Sequence, residues 1–259
     1  MKRSNVSTYL MVLATVGLFA GLVCAQDTTG KGKGKGKAGR GPVNFDDQTV
    51  GAVPTGWKVA ETGGKGKLAK WEVIKDATAP SAPNVMAVTK TENAGDTFNL
   101  LMSEGRAMAD LNLQVKVKAI SGKADQGGGP MWRATDLNNY YVARWNPLED
   151  NFRLYCVKAG KRSQLASVDV KVDPKAWHTI RVNHQGDKIV ASFDGKQLID
   201  VTDTSLTEAG MIGLWTKGDA ATAFDDVTRA RQQSAGGDSK APADQTKASK
   251  KKKKANTNP

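Results

Sequence analysis

From residue 43 to residue 231 the chain is a succession of short runs rich in Val, Ile, Tyr and Trp, separated by Gly, Asn and Asp, with no stretch suited to a long helix. Ala159-Gly160-Lys161, Asp136-Leu137-Asn138-Asn139 and Asp194-Gly195-Lys196 are such separators. They cut the segment into strands expected near 43–47, 57–60, 69–75, 84–88, 97–101, 109–120, 128–135, 140–147, 151–158, 162–169, 176–184, 187–194, 197–201, 209–216 and 221–230. So many antiparallel strands at this spacing imply an all-β fold, a two-sheet sandwich of jelly-roll type. No self-similar period of the kind that marks a propeller or solenoid is present.

The ends differ in kind from this segment. Lys2 and Arg3, an apolar run from Leu10 to Val23, and Val23-Cys24-Ala25 before Gln26 read as a secretory signal peptide over residues 1–25. An uncleaved anchor is the competing reading of the same residues. Gly21-Leu22-Val23 lacks the small residue a lipobox places before its cysteine, which argues against lipidation of Cys24. Cleavage after Ala25 leaves Cys156 alone, so the core has to hold without an internal disulfide.

The net charge of +12 belongs mostly to the ends: residues 1–25 carry +2, 26–42 carry +4, 232–259 carry +5, and residues 43–231 only +1. The Lys-Gly alternation at 31–37 and the run Lys250 to Lys254 have too little apolar surface for a core, so 26–42 and 232–259 are expected to be disordered linkers. Their charge suits either a solubilising spacer or loose attachment to an acidic surface. Nothing points to sequence-specific nucleic-acid binding. With the signal removed, no membrane-spanning segment is expected, and the destination is the periplasm or the medium.

The central hairpin is the most informative element. In Tyr140-Tyr141-Val142-Ala143-Arg144-Trp145-Asn146, alternation puts Tyr140, Val142, Arg144 and Asn146 on one face, and Tyr141, Ala143 and Trp145 on the other. A four-residue loop from Pro147 to Asp150 sets Asn146 opposite Asn151, Arg144 opposite Arg153 and Val142 opposite Tyr155. Phe152, Leu154 and Cys156 then join the core side. The other side is polar and aromatic, with two like charges opposed, which suits a binding surface.

The motifs Gly127-Gly128-Gly129-Pro130-Met131-Trp132-Arg133, Asn139-Tyr140-Tyr141-Val142-Ala143-Arg144, Asp150-Asn151-Phe152-Arg153-Leu154-Tyr155, Trp177-His178-Thr179-Ile180-Arg181-Val182, Gly210-Met211-Ile212-Gly213-Leu214-Trp215-Thr216-Lys217 and Phe224-Asp225-Asp226 occur in order. With Phe45-Asp46-Asp47 and Pro54-Thr55-Gly56-Trp57, the segment resembles the concanavalin A-like lectin/glucanase superfamily, and within it the 3-keto-disaccharide hydrolase, or 3-keto-glucoside lyase/hydratase, domain. The resemblance spans about residues 43–230 and implies the sandwich fold more specifically than any one activity.

The alternating Glu-x-Asp-x-Glu of family 16 glucanases is absent; Glu61, Glu72, Glu92, Glu104, Glu149 and Glu208 are scattered, and Glu149 falls in a turn. His178 and His184 are six residues apart on one strand, about 20 Å, too far for one metal, and His178 reads as structural. No HExxH, Cys pair, Walker loop or Gly-x-Ser-x-Gly elbow is present, and Gly127 to Gly129 read as turn glycines. A calcium site from Asp46, Asp47, Asp225 or Asp226 is conceivable, since first and last strands often adjoin.

Three functional classes remain open. A glycan-binding module would use Arg133, Tyr140, Arg144, Asn146, Asn151, Arg153, Tyr155, Trp215 and Lys217, with Trp132 a further aromatic whose facing alternation does not determine. The resemblance implies instead a 3-keto-glycoside lyase, hydratase or hydrolase. There the arginines and tyrosines would hold an enolate oxygen, with Lys217 or Asp219 near the sheet edge and no base identified. The third class is a secreted structural or adhesion protein whose arginines dock an acidic protein partner. Binding of a carbohydrate or keto-sugar is the reading ranked first.

Overall fold

The computed structural model describes residues 42–64, 68–93 and 95–231. The signal peptide and both Lys-rich segments anticipated from the sequence lie outside the described residues, apart from Pro42. The strands are β1 (Trp57–Thr62), β2 (Lys70–Lys75), β3 (Asn84–Lys90), β4 (Phe98–Ser103), β5 (Leu111–Ser121), β6 (Gly129–Asp136) and β7 (Asn139–Asn146). They continue with β8 (Asn151–Lys158), β9 (Lys161–Asp169), β10 (His178–Gln185), β11 (Lys188–Phe193), β12 (Lys196–Thr202), β13 (Met211–Lys217) and β14 (Ala221–Arg231). The strand anticipated at 43–47 is replaced by a single bridge from Val43 to Val227, because Phe45 turns the chain through a left-handed φ of 62°. Among the described residues there is no helix long and apolar enough to cross a membrane.

Two seven-stranded sheets form the sandwich, in the orders β1-β4-β13-β6-β7-β8-β9 and β12-β11-β10-β5-β14-β3-β2. Alternation builds their inner faces. β5 points Leu111, Leu113, Val115, Val117 and Ala119 inward, and its neighbour β10 does the same with Ile180 and Val182. Opposite them, the first sheet contributes Trp132, Tyr141, Ala143, Trp145, Phe152, Leu154 and Leu214 to one continuous core. Both histidines are part of it. His184 accepts a hydrogen bond at Nδ1 from Trp132 Nε1 (2.9 Å), and burial first, then the nearby Arg133 charge, push its pKa down to about 4. His178 bonds Asp194 and the Asp173 carbonyl at 2.7 Å each, against Trp145 and Phe193.

Gly127 to Gly129 do more than turn the chain. A Cβ on Gly127 would stand 2.3 Å from the Trp145 carbonyl oxygen, and one on Gly128 would stand 2.3 Å from that of Trp215. Only glycine lets the entry to β6 slip between β7 and β13. The hairpin register matches the sequence expectation: Asn146 pairs with Asn151, Arg144 with Arg153, and Val142 with Tyr155.

Phe224, fully buried and stacked on Trp71 with ring centroids 5.9 Å apart, joins the last strand to the second. Phe224→Ala is expected to lower stability by about 3–5 kcal/mol, read as a lower urea midpoint at unchanged slope.

Candidate functional site

The outer face of the first sheet carries an apolar half and a charged half. Ala60, Phe98, Leu100, Met131, Tyr140, Val142, Tyr155, Val157 and Trp215 pack together as a second buried cluster. Next to it stand Arg144 and Asn146 from β7, Asn151 and Arg153 from β8, and Lys217 from β13. The structure therefore gathers eight of the nine residues proposed from sequence on one face.

Arg133 is the exception. The β6–β7 register shifts after Trp132, and Arg133 adopts a left-handed φ of 47°, so strict alternation fails there. Its guanidinium is buried and donates to the carbonyls of Ala109 (2.8 Å), Leu206 (2.8 Å) and Gly186 (2.7 Å), away from the polar cluster. It braces loops. Trp132 is a core residue.

The charges on the face are joined through two carboxylates that sequence reasoning did not select. Asp125, 1% exposed, accepts from Arg144 Nη2 (2.7 Å) and Asn146 Nδ2 (2.9 Å) at one oxygen and from Lys217 Nζ (2.7 Å) at the other. Asp219, expected near a sheet edge as a chemical group, instead accepts backbone N–H bonds from Lys123 (2.7 Å), Ala124 (3.1 Å) and Asp125 (2.9 Å). It anchors the loop that delivers Asp125. Glu149, in the four-residue hairpin turn, accepts from Arg153 (2.7 Å), Asn151 (3.0 Å) and both terminal nitrogens of Arg144 (3.3 Å each). Burial alone would raise the Glu149 pKa, but the bonds from Arg144 and Asn151 and the charges of Arg144 and Arg153 outweigh it and hold the group at about 2.

The third missed residue is Arg162. It pairs with Val157 in the β8–β9 ladder and lays its guanidinium carbon 4.3 Å from the Tyr155 ring centroid, 5.2 Å from Phe98 and 6.0 Å from Trp215. Beneath it the Tyr140 hydroxyl bonds Thr62 (2.9 Å) and receives Trp215 Nε1 (3.3 Å). Burial, only partly offset by those bonds, pushes the Tyr140 pKa up to about 12. Tyr140 and Trp215 are thus buried supports. The rim open to water consists of Glu149, Arg153, Arg162 and Lys217.

Three atoms of the cluster are shut off from water with no hydrogen-bond partner: Arg144 Nε, Arg162 Nη1 and Asn151 Oδ1. Buried polar atoms are ordinarily paired, so these are exceptions within the cluster.

Of the suggested calcium residues, Asp225 and Asp226 lie on β14 of the other sheet, and Asp46 and Asp47 lie in a turn before β1, where Asp46 is bonded to Asn84 of β3. Asp225 accepts from the backbone of Ser81 (3.0 Å) and Asp226 (2.8 Å), Asp226 from the Ser81 hydroxyl (2.8 Å), and Asp46 from the Asn84 backbone (3.1 Å). Burial first, with Asp226 and Asp46 adding repulsion against the backbone bonds, pushes Asp225 up to about 6. Among the described residues, no group of three or more His, Cys, Asp or Glu is placed to hold a metal ion.

Residues 44–228 match the family described as the 3-keto-alpha-glucoside-1,2-lyase-like domain. The chain belongs to this family. No curated protein sequence matches it. Among solved structures, the carbohydrate binding module CBM66 from Bacillus subtilis is similar at a TM-score of 0.54 and 19% identity, covering 68% of this chain and 95% of that one. A Bacillus subtilis protein of unknown function with a galectin-like fold is similar at a TM-score of 0.48 and 9% identity, covering 68% and 89%. At these identities the likeness to the module establishes the shared sandwich alone.

Two outcomes follow from the charge network. Asp125→Asn leaves Lys217 and Arg144 without their shared counter-ion and is expected to cost about 3–5 kcal/mol in denaturant unfolding. Because the Glu149 pKa is depressed from 4.5 to about 2, its contribution is present above 4.5 and is lost as pH falls toward 2. Between pH 5 and 2 the stability of Glu149→Gln is therefore expected to fall less steeply than that of the parent protein. The raised pKa of Asp225 is common to both and cancels in the difference.

Proposed function

We propose that this is an exported carbohydrate-binding protein that holds a glycan at the charged end of the outer face of the first sheet. The observation that carries the reading is the cluster around Asp125 and Glu149, in which Arg144, Arg153, Arg162, Lys217, Asn146 and Asn151 converge and three buried polar atoms lack partners. Planar guanidinium and amide groups are well matched to the paired oxygens of a sugar ring, and the Arg162–Tyr155 stack keeps one guanidinium flat at the rim. Membership of a family described by a glucoside-directed activity supports a sugar as the ligand class. The resemblance of residues 1–25 to a signal peptide supports export to the periplasm or medium. The Lys-rich ends would add weak, salt-sensitive attraction to an acidic surface.

Family membership also favours a second reading, lyase or hydratase chemistry on a 3-keto-glycoside. A ketone acidifies the neighbouring C–H, and the arginines would stabilise the enolate oxygen formed when a base removes that proton. Binding ranks first because a general base works best with a pKa near the working pH, whereas Glu149 is held at about 2 between arginines and Asp125 already receives three donors.

The test is calorimetric titration of the full chain with a panel of oligosaccharides including 3-keto-glucosides, with product analysis of each mixture. Binding without turnover is expected, with Arg153→Ala weakening affinity by about tenfold or more and Arg181→Ala, on the other sheet, leaving it unchanged. Turnover of a 3-keto-glucoside would establish the enzymatic reading instead. Failure to bind any sugar would leave the protein-docking role.

A further inference from the structure

The charge balance of the cluster narrows the ligand class, on the basis of the glycan-binding reading above. Three cations, Arg144, Arg153 and Lys217, are paired with two carboxylates, Asp125 and Glu149, and Arg162 stands beside them without an ion pair, so the four cations exceed the two carboxylates by two positive charges. Asp169, opposite Asn151 on β9, is exposed and makes no ion pair among the described residues. The carboxylates already accept several bonds: Asp125 takes Arg144, Asn146 and Lys217, and Glu149 takes Arg144, Arg153 and Asn151. Donors make up most of what is left over. Arg144 Nε and Arg162 Nη1 are buried and unpartnered, against a single free acceptor, Asn151 Oδ1.

Arg162 is the telling member. Its guanidinium is stacked on Tyr155 and flanked by Phe98 and Trp215, and no carboxylate among the described residues lies within ion-pair range. Burial, the largest influence, and the repelling charge of Arg144 act against its cationic form and outweigh the opposing influence of Tyr155 and of the more distant Asp125 and Glu149. A partly desolvated guanidinium without a counter-ion is unfavourable, and an incoming anion relieves it, its oxygens taking the N–H groups that stacking leaves at the ring edge. A neutral sugar, whose hydroxyls donate as readily as they accept, matches this surplus of donors and charge poorly.

We infer that the site takes an acidic sugar, one bearing a uronate carboxylate or a sulfate ester, with the oxyanion received by Arg162 at the rim. Titration calorimetry tests this with the full chain, Arg162→Gln and Arg162→Lys, against uronate disaccharides, sulfated disaccharides and their neutral counterparts. The Lys-rich ends are unchanged in every variant. The acidic sugars are expected to bind at least about tenfold more tightly than the neutral ones. Arg162→Gln should erase that margin with little effect on neutral sugars, and Arg162→Lys should retain part of it. The uronate and sulfate arms separate the two sources of the oxyanion. Equal affinity for acidic and neutral sugars, or an acidic preference that survives Arg162→Gln, would overturn the inference and leave the glycan reading standing. Absence of binding by either class would overturn both.

Discussion

Every outward residue of the central hairpin stands where it does because its neighbour in sequence is locked in the core. Trp145, Ala143 and Tyr141 of β7, and Phe152, Leu154 and Cys156 of β8, pack against the opposite sheet, and a slip of one residue would expel all of them into water. That constraint obliges Arg144, Asn146, Asn151 and Arg153 to share one side. Packing of the two inner faces therefore determines the candidate site as well as the sandwich.

The outer face shows what such an obligation entails. Arg144 and Arg153, directly opposed, would repel; Glu149 in the turn between them bonds to both, and Asp125 arrives from a separate loop to take the other side of Arg144. Breaking a buried ion pair costs more than the pair itself contributes, because it strands the remaining charge. The cluster thus persists as a unit, with Asp219 holding the loop of Asp125 at the required distance. The apolar half of the face, with Tyr140 and Trp215 bonded to each other beneath Arg162, gives the charged half a rigid floor.

Much of this was legible beforehand, and for definite reasons. Period-2 alternation and the four-residue turn specify the β7–β8 register, since both are local. Arg133 was misplaced because alternation presumes a regular strand; the bulge after Trp132 carries no distinctive sequence mark and turns the side chain to the loops around Ala109, Gly186 and Leu206. Glu149 had a readable signal, a carboxylate in a turn flanked by Arg144 and Arg153. Asp125 and Arg162 had none, since one arrives through a loop anchored by Asp219 and the other by cross-strand pairing past a shift in β9.

The sequence by itself determined the all-β class, the strand inventory between residues 57 and 231, the two faces of the central hairpin and the segregation of charge to the ends. These follow from local chemistry: side-chain period, turn residues and composition. Only the tertiary structure decided the strand order, the burial of Tyr140 and Trp215, the diversion of Arg133 and the pairing of Asp125 with Arg144 and Lys217. Those depend on which distant strands become neighbours and on which charges must find partners once water is excluded, and neither is written in any one stretch of the chain.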